Sequence, residues 1–188
     1  MRMLRLSTTA MKNILANAYA GGGLYVTLLK GLTLASPTSA GASTFTVDLS
    51  VAAGDKIVFD QGQTSQEECI VGSVSGSGPY VVTPVNVLTN AHVLTGTNAG
   101  IQSHCPLASA TVHEVTVTRS AATWGSPSPA GTVTTAAAAI TVPALAKVGS
   151  MALYSASTSG TYYDATAVAG QNFPTSQPYV PVWIEVVA

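Results

Sequence analysis

The sequence predicts a mainly β protein: a short N-terminal helix, then an antiparallel β-sandwich or barrel accompanied by a second small β module. Two observations lead there. Short runs rich in β-branched residues alternate with turn residues at roughly 8–12-residue spacing, the rhythm of sandwich and barrel strands. Helical periodicity, by contrast, occurs once, near the N-terminus.

That helix begins at Ser7, whose hydroxyl can cap the first turn. Met11, Ile14, Leu15, Ala18 and Tyr19 then form one apolar stripe. Gly21-Gly22-Gly23 stops it, and Leu24 to Leu29 follows as a buried strand. Thr44–Ser50, Lys56–Asp60 and Glu68–Val74 read as strands. Gly76-Ser77-Gly78-Pro79 supplies the turn that pairs Glu68–Val74 with Tyr80–Val85 as a hairpin. Pro84 puts the second strand at an edge or near its end. Val112–Arg119 alternates strictly and is expected as a strand, followed by Thr132–Val142, Met151–Tyr154, Thr161–Val168 and Tyr179–Val187. Texture changes near Leu32 and Ile101 divide the chain into residues 1–31, 32–100 and 101–188. The first segment is expected to pack with the C-terminal sheet.

Fifteen of 188 residues are charged, 8% of the chain, against about a quarter in an ordinary soluble domain. A net charge of −1 gives little self-repulsion, which suits a subunit packed into an assembly. Disorder is excluded by 47% hydrophobic content, and no apolar run reaches the ~20 residues of a membrane span. Cys69 and Cys105 cannot build a disulfide framework; one bridge between them stays open, and two buried free thiols are the simpler expectation. Ala18-Tyr19-Ala20 has the form of a signal-peptide cleavage site, but Ser7, Thr8, Thr9, Lys12 and Asn13 interrupt the apolar region, so the segment reads as mature protein. Arg2, Arg5, Lys12 and Lys30 hold four of the seven basic charges. Met1–Leu6 therefore forms a basic arm whose Arg2, Leu4, Arg5 and Leu6 are candidate assembly contacts.

The most enzyme-like stretch is Val87–Gly96 (VLTNAHVLTG), which resembles the histidine block of trypsin-fold serine proteases. There the histidine takes a proton from a downstream serine. No G-x-S-G-G follows His92, and the late Ser176 has no glycine-built oxyanion turn, so catalysis is not expected. Cys69, Cys105, His92 and His104 lack the paired spacing of a zinc site, and Glu67 and Glu68 oppose a reactive thiolate at Cys69. Gly21-Gly22-Gly23 follows a helix instead of opening one, so it is no phosphate loop. The basic arm has no interleaved aromatics and the pI is near 6.2, which argues against nucleic acid. Trp124, Trp183, Tyr162 and Tyr163 could line a sugar-binding face but read more simply as core.

Arg5–Leu15 (RLSTTAMKNIL) and Gly21–Leu29 (GGGLYVTLL) resemble the start of small β-rich proteins from tailed-phage structural gene blocks. Residues 54–96 resemble a module of actinobacterial phage virion proteins, carried by Gly54-Asp55, Glu67-Glu68, Val74–Tyr80, Leu88, Ala91-His92 and Gly96. Trp124–Gly131, Ile140–Ala144, Leu153-Tyr154 and Gly160–Tyr162 continue the likeness. The resemblance implies a non-enzymatic virion component with no cofactor: a capsid decoration protein on the head shell, or alternatively a minor tail or fibre protein. It implies the major capsid protein or other virion proteins as partners, a homo-oligomeric state, and His92 closing a turn in a structural module.

Overall fold

In the computed structural model the described residues are 23–94, 100–116, 119–124, 132–137 and 139–186. The expected helix and the candidate contacts Arg2, Leu4, Arg5 and Leu6 lie outside them, as do the side chains of Trp124 and Trp183. The described chain is mainly β and antiparallel. In chain order the strands are β1 (Tyr25–Lys30), β2 (Leu32–Thr33), β3 (Phe45–Val47), β4 (Lys56–Phe59), β5 (Glu67–Ser75), β6 (Tyr80–Pro84), β7 (Ile101–Cys105), β8 (Ser120–Trp124), β9 (Thr132–Ala137), β10 (Ile140–Val142), β11 (Ala146–Tyr154), β12 (Tyr162–Phe173), β13 (Gln177–Tyr179) and β14 (Val182–Val186).

One sheet runs β2-β7-β4-β5-β6-β3 and nearly closes on itself. Leu34 bridges Val47, Ala35 N–H donates to the Thr46 carbonyl at 2.9 Å, and Asp48 N–H donates to the Thr33 carbonyl at 3.2 Å. Closure lets Leu32, Phe45, Val47, Ile57, Phe59, Val71, Val82 and Leu88 share one buried core. Each such side chain contributes about 1.5–3 kcal/mol by leaving water. The expected β5–β6 hairpin is present, and Gly76 and Gly78 take φ of +89° and +117° in its turn. Pro84 sits at the end of β6, where its missing N–H costs nothing to the ladder.

The second sheet runs β12-β11-β1-β8-β9-β14, with β1 paired to both β11 and β8. The ribbon β10–β13 covers one face, burying Leu24, Val26, Leu28, Ile140, Val142, Leu153 and Phe173. The other face buries Leu29, Cys105, Ala152, Tyr154 and Ala165. Since Cys105 belongs to β7, this second cluster joins the sheet to the barrel.

Glycine makes that junction close. A methyl group on Gly149 would stand 2.7 Å from the Gln102 carbonyl oxygen and 2.8 Å from Gly31 Cα. On Gly170 it would overlap the Ile101 carbonyl oxygen. Backbone therefore lies on backbone where β7 crosses β11 and β12. Ser103 Oγ donates to the Val168 carbonyl at 2.8 Å across the same seam.

Three strand expectations need correction. The described part of Val112–Arg119 makes only an isolated bridge, Glu114 with Leu29, after a 3-10 turn at Ser109–Thr111. Its described residues meet different neighbours: Val112 packs on the Leu29–Cys105 cluster, Val115 on the Leu24–Val26 cluster, and His113 bonds Ser50. Thr132–Val142 divides into β9 and β10, which belong to different sheets. Tyr179–Val187 likewise divides, Tyr179 ending β13 and Val182–Val186 forming β14 in another sheet, and no sequence signal marks β2, β7, β8 or the start of β13.

Candidate functional site

His92 is the most elaborated polar residue of the barrel. Leu88 anchors its loop in the core; its N–H donates to the Ala42 carbonyl at 3.0 Å and its carbonyl accepts from Gly41 N–H at 2.7 Å. His92 and Thr38 exchange backbone bonds in both directions, at 3.0 and 3.1 Å. These bonds turn the imidazole inward until it is completely buried. It stacks on Phe59, with ring centroids 4.4 Å apart and planes 21° from parallel.

Two carboxylates meet the ring. His92 Nδ1 lies 2.7 Å from Asp60 Oδ2, and Nε2 lies 2.6 Å from Glu67 Oε1. Asp60 follows β4 with φ of +47°, a left-handed conformation that Asp tolerates better than most residues. Its Oδ2 also accepts from Ser65 Oγ at 2.7 Å. Glu67 opens β5 and accepts from the Thr89 and Asn90 N–H groups at 2.8 and 3.3 Å. Burial would raise the Glu67 pKa, but the bonds from His92, Thr89 and Asn90 and the His92 charge hold it below its ordinary value.

Both ring nitrogens are thus engaged by carboxylates inside the fold. Neither is left to accept a proton from a hydroxyl nucleophile. The Ser-His-Asp order of a hydrolase is not built: here Asp60 lies between Ser65 and His92. What the cluster does is fasten the loops at residues 60–67 and 88–92 together.

A second buried cluster centres on Asp55. The Asp55 carboxylate accepts from Leu107 N–H at 2.7 Å, Ala52 N–H at 2.9 Å, Thr111 Oγ1 at 2.8 Å and His104 Nε2 at 2.9 Å. Burial opposes its ionisation, and the four donors outweigh burial, keeping the pKa below its ordinary value. Nearby, His113 Nε2 lies 3.1 Å from Ser50 Oγ, a serine–histidine contact of superficially catalytic type. The same nitrogen lies 2.9 Å from the Ser50 carbonyl oxygen. A carbonyl can only accept, so Nε2 carries a proton and cannot take one from Ser50.

Arg119 completes the set. Its guanidinium grips Glu114 with two bonds of 2.7 and 2.9 Å, and Cζ stands 3.4 Å from the Tyr154 ring centroid. The remaining donors reach the Ala156 and Ser159 carbonyls.

Cys69 and Cys105 are both buried and free. Register places them on opposite faces, since Ile57 pairs with Cys69 while Lys56 pairs with Cys105. Burial pushes each thiol up to about 11, with Glu67 adding to the effect at Cys69. Tyr162 donates to the Pro106 carbonyl at 2.6 Å, whereas its neighbour Tyr163 is exposed. Among the described residues, no group of three or more His, Cys, Asp and Glu is arranged to hold a metal ion.

His92 was legible as a polar anomaly of the sequence, but its partners were not. Asp60 and Glu67 precede it by 32 and 25 positions, with no fixed spacing to connect them. No family model, curated protein or solved structure matches this chain.

Proposed function

We propose that this chain is a non-enzymatic structural subunit of a tailed-phage virion, docking as a decoration protein on the outer surface of the head shell. One observation carries the non-enzymatic half. The motif that resembles a protease histidine block is spent on a buried carboxylate–imidazole–carboxylate clamp. The virion half rests on the resemblance and on a charge-poor composition suited to close packing against other protein. A decoration subunit stabilises its shell through binding free energy alone, so it needs a rigid body and a contact surface.

A minor tail protein facing the host surface is the second reading, favoured by exposed Tyr163 and Val180. An antibody against the chain, applied to separated heads and tails of the encoding phage, decides between them. Labelling at repeated positions on heads is expected; labelling confined to tails would move the chain there. The non-enzymatic reading has its own test in a broad fluorophosphonate probe. Stoichiometric labelling that disappears in His92→Ala would overturn it.

A further inference from the structure

Two of the four lysines and arginines among the described residues are committed to carboxylates. Lys56 pairs with Glu68 at 3.5 Å, and Arg119 is held by Glu114. Lys30 and Lys147 are the two described lysines with no carboxylate at ion-pair distance, and both line the same cleft. Its volume is about 380 Å³, within the range of small binding sites. It opens where β1 leaves the sheet for the barrel, and Gly31 N–H donates to the Lys147 carbonyl at 3.0 Å.

The polar floor is ordered. The Lys147 ammonium donates to Thr33 Oγ1 at 2.8 Å, and Thr33 N–H donates to Asp48 Oδ1 at 2.7 Å. Asp48 thus spends one oxygen inside the floor, and an ammonium with three donors has used one. The walls are apolar: Leu49, Val115, Pro143 and Leu145. Leu145 is 79% exposed and has φ of +64°, a conformation that leucine adopts at a cost. Such strained residues gather at ligand clamps. The fold therefore holds a bare leucine over a cleft lined by two lysines and one carboxylate, Asp48, and so positive by one charge.

We propose that this cleft receives the carboxylate side chain of a Glu or Asp from a partner protein, with an aliphatic neighbour of that residue packing on Leu145 and Pro143. Charge complementarity selects the anion, and the apolar lip selects a protein segment over a free ion. The proposal stands on the cleft and does not depend on the virion reading.

Amide chemical shifts of the full chain, titrated with acetyl-Val-Glu-Val-amide, test it. Saturable shifts are expected at Lys30, Gly31, Leu145 and Lys147. Acetyl-Val-Gln-Val-amide should bind about fivefold more weakly, the value of one partly exposed charge pair. Lys30→Gln and Lys147→Gln should each weaken binding of the Glu peptide by a similar factor. Lys30→Gln is the decisive variant, since Lys147 also supports Thr33. Equal binding of the two peptides would overturn the proposal in favour of a plain apolar groove. Equal shifts with inorganic phosphate would make it a general anion patch. Shifts on dilution without peptide, abolished by Lys30→Gln, would make the occupant a second copy. Absence of any saturable response would also overturn it.

Discussion

Glu67 Oε1 stands 2.6 Å from His92 Nε2, closer than Asp60 on the other side of the same ring. Breaking one member of a buried ionic cluster leaves the others unpaired in a poorly solvated place, which costs about 3–5 kcal/mol. His92→Ala should destabilise the chain by that amount in denaturant unfolding, and Glu67→Gln by less. The double variant should lose less than the sum of the two singles. Strict additivity would show that the two side chains do not act together.

Acid should act through Asp55 and Glu67. Both have folded pKa values below their unfolded ones, so the unfolded chain takes up protons first as pH falls. Their contribution is complete above the ordinary carboxylate pKa of ~4 and is lost as pH drops through the depressed folded values. Asp55→Asn should be less stable than the parent at neutral pH and converge on it in acid. A constant difference between the two from pH 7 to pH 2 would refute this.

Gly149→Ala tests the seam between barrel and sheet. The added methyl meets backbone, which has nowhere to move without separating β7 from β11. Overpacking of this kind costs about 1–3 kcal/mol or more, and the melting temperature should fall accordingly. An unchanged melting temperature would show that the two bodies are not packed this tightly.

Gly78→Val isolates the backbone instead. With φ of +117° and no atom beyond its chain neighbours closer than 3.9 Å to an added Cβ, that carbon meets no obstacle and backbone strain remains. The expected loss is about 1–3 kcal/mol. Gly78→Ala should show much of the same loss, because the penalty follows the backbone angle and not side-chain size.

The thiols give a chemical readout of the folded state. At about 11, each is ionised in roughly one molecule per thousand at pH 8. A thiol-reactive disulfide reagent should leave both untouched in the native protein and modify both in denaturant. Rapid native modification of either would contradict its burial.

The strands read correctly from sequence were those whose apolar residues follow the sheet they face. β7 was missed because hydropathy describes it wrongly: Gln102, Ser103 and His104 are polar, yet all five of its residues are buried. Their bonds to Asp60 N–H, the Val168 carbonyl and Asp55 come from distant parts of the chain. Val112–Arg119 failed in the opposite sense: the neighbours of Val112, His113 and Val115 differ, so the apolar residues of its described part are shared among separate contacts and not one strand face. The Lys30–Lys147 cleft was invisible because only the β1–β11 register brings those residues together.

The interior clusters have a further consequence outside them. Asp55, Asp60, Glu67 and Glu114 spend their charge on histidines and an arginine inside the fold, leaving Asp48, Glu68 and Asp164 as the exposed acids among the described residues with side chains in view. The described exterior is thus quieter electrically than the composition suggests. Away from the Lys30–Lys147 cleft its hydration falls largely to hydroxyls and peptide groups, which do not respond to counterions, so contacts made across those uncharged parts should hold through large swings in ionic strength.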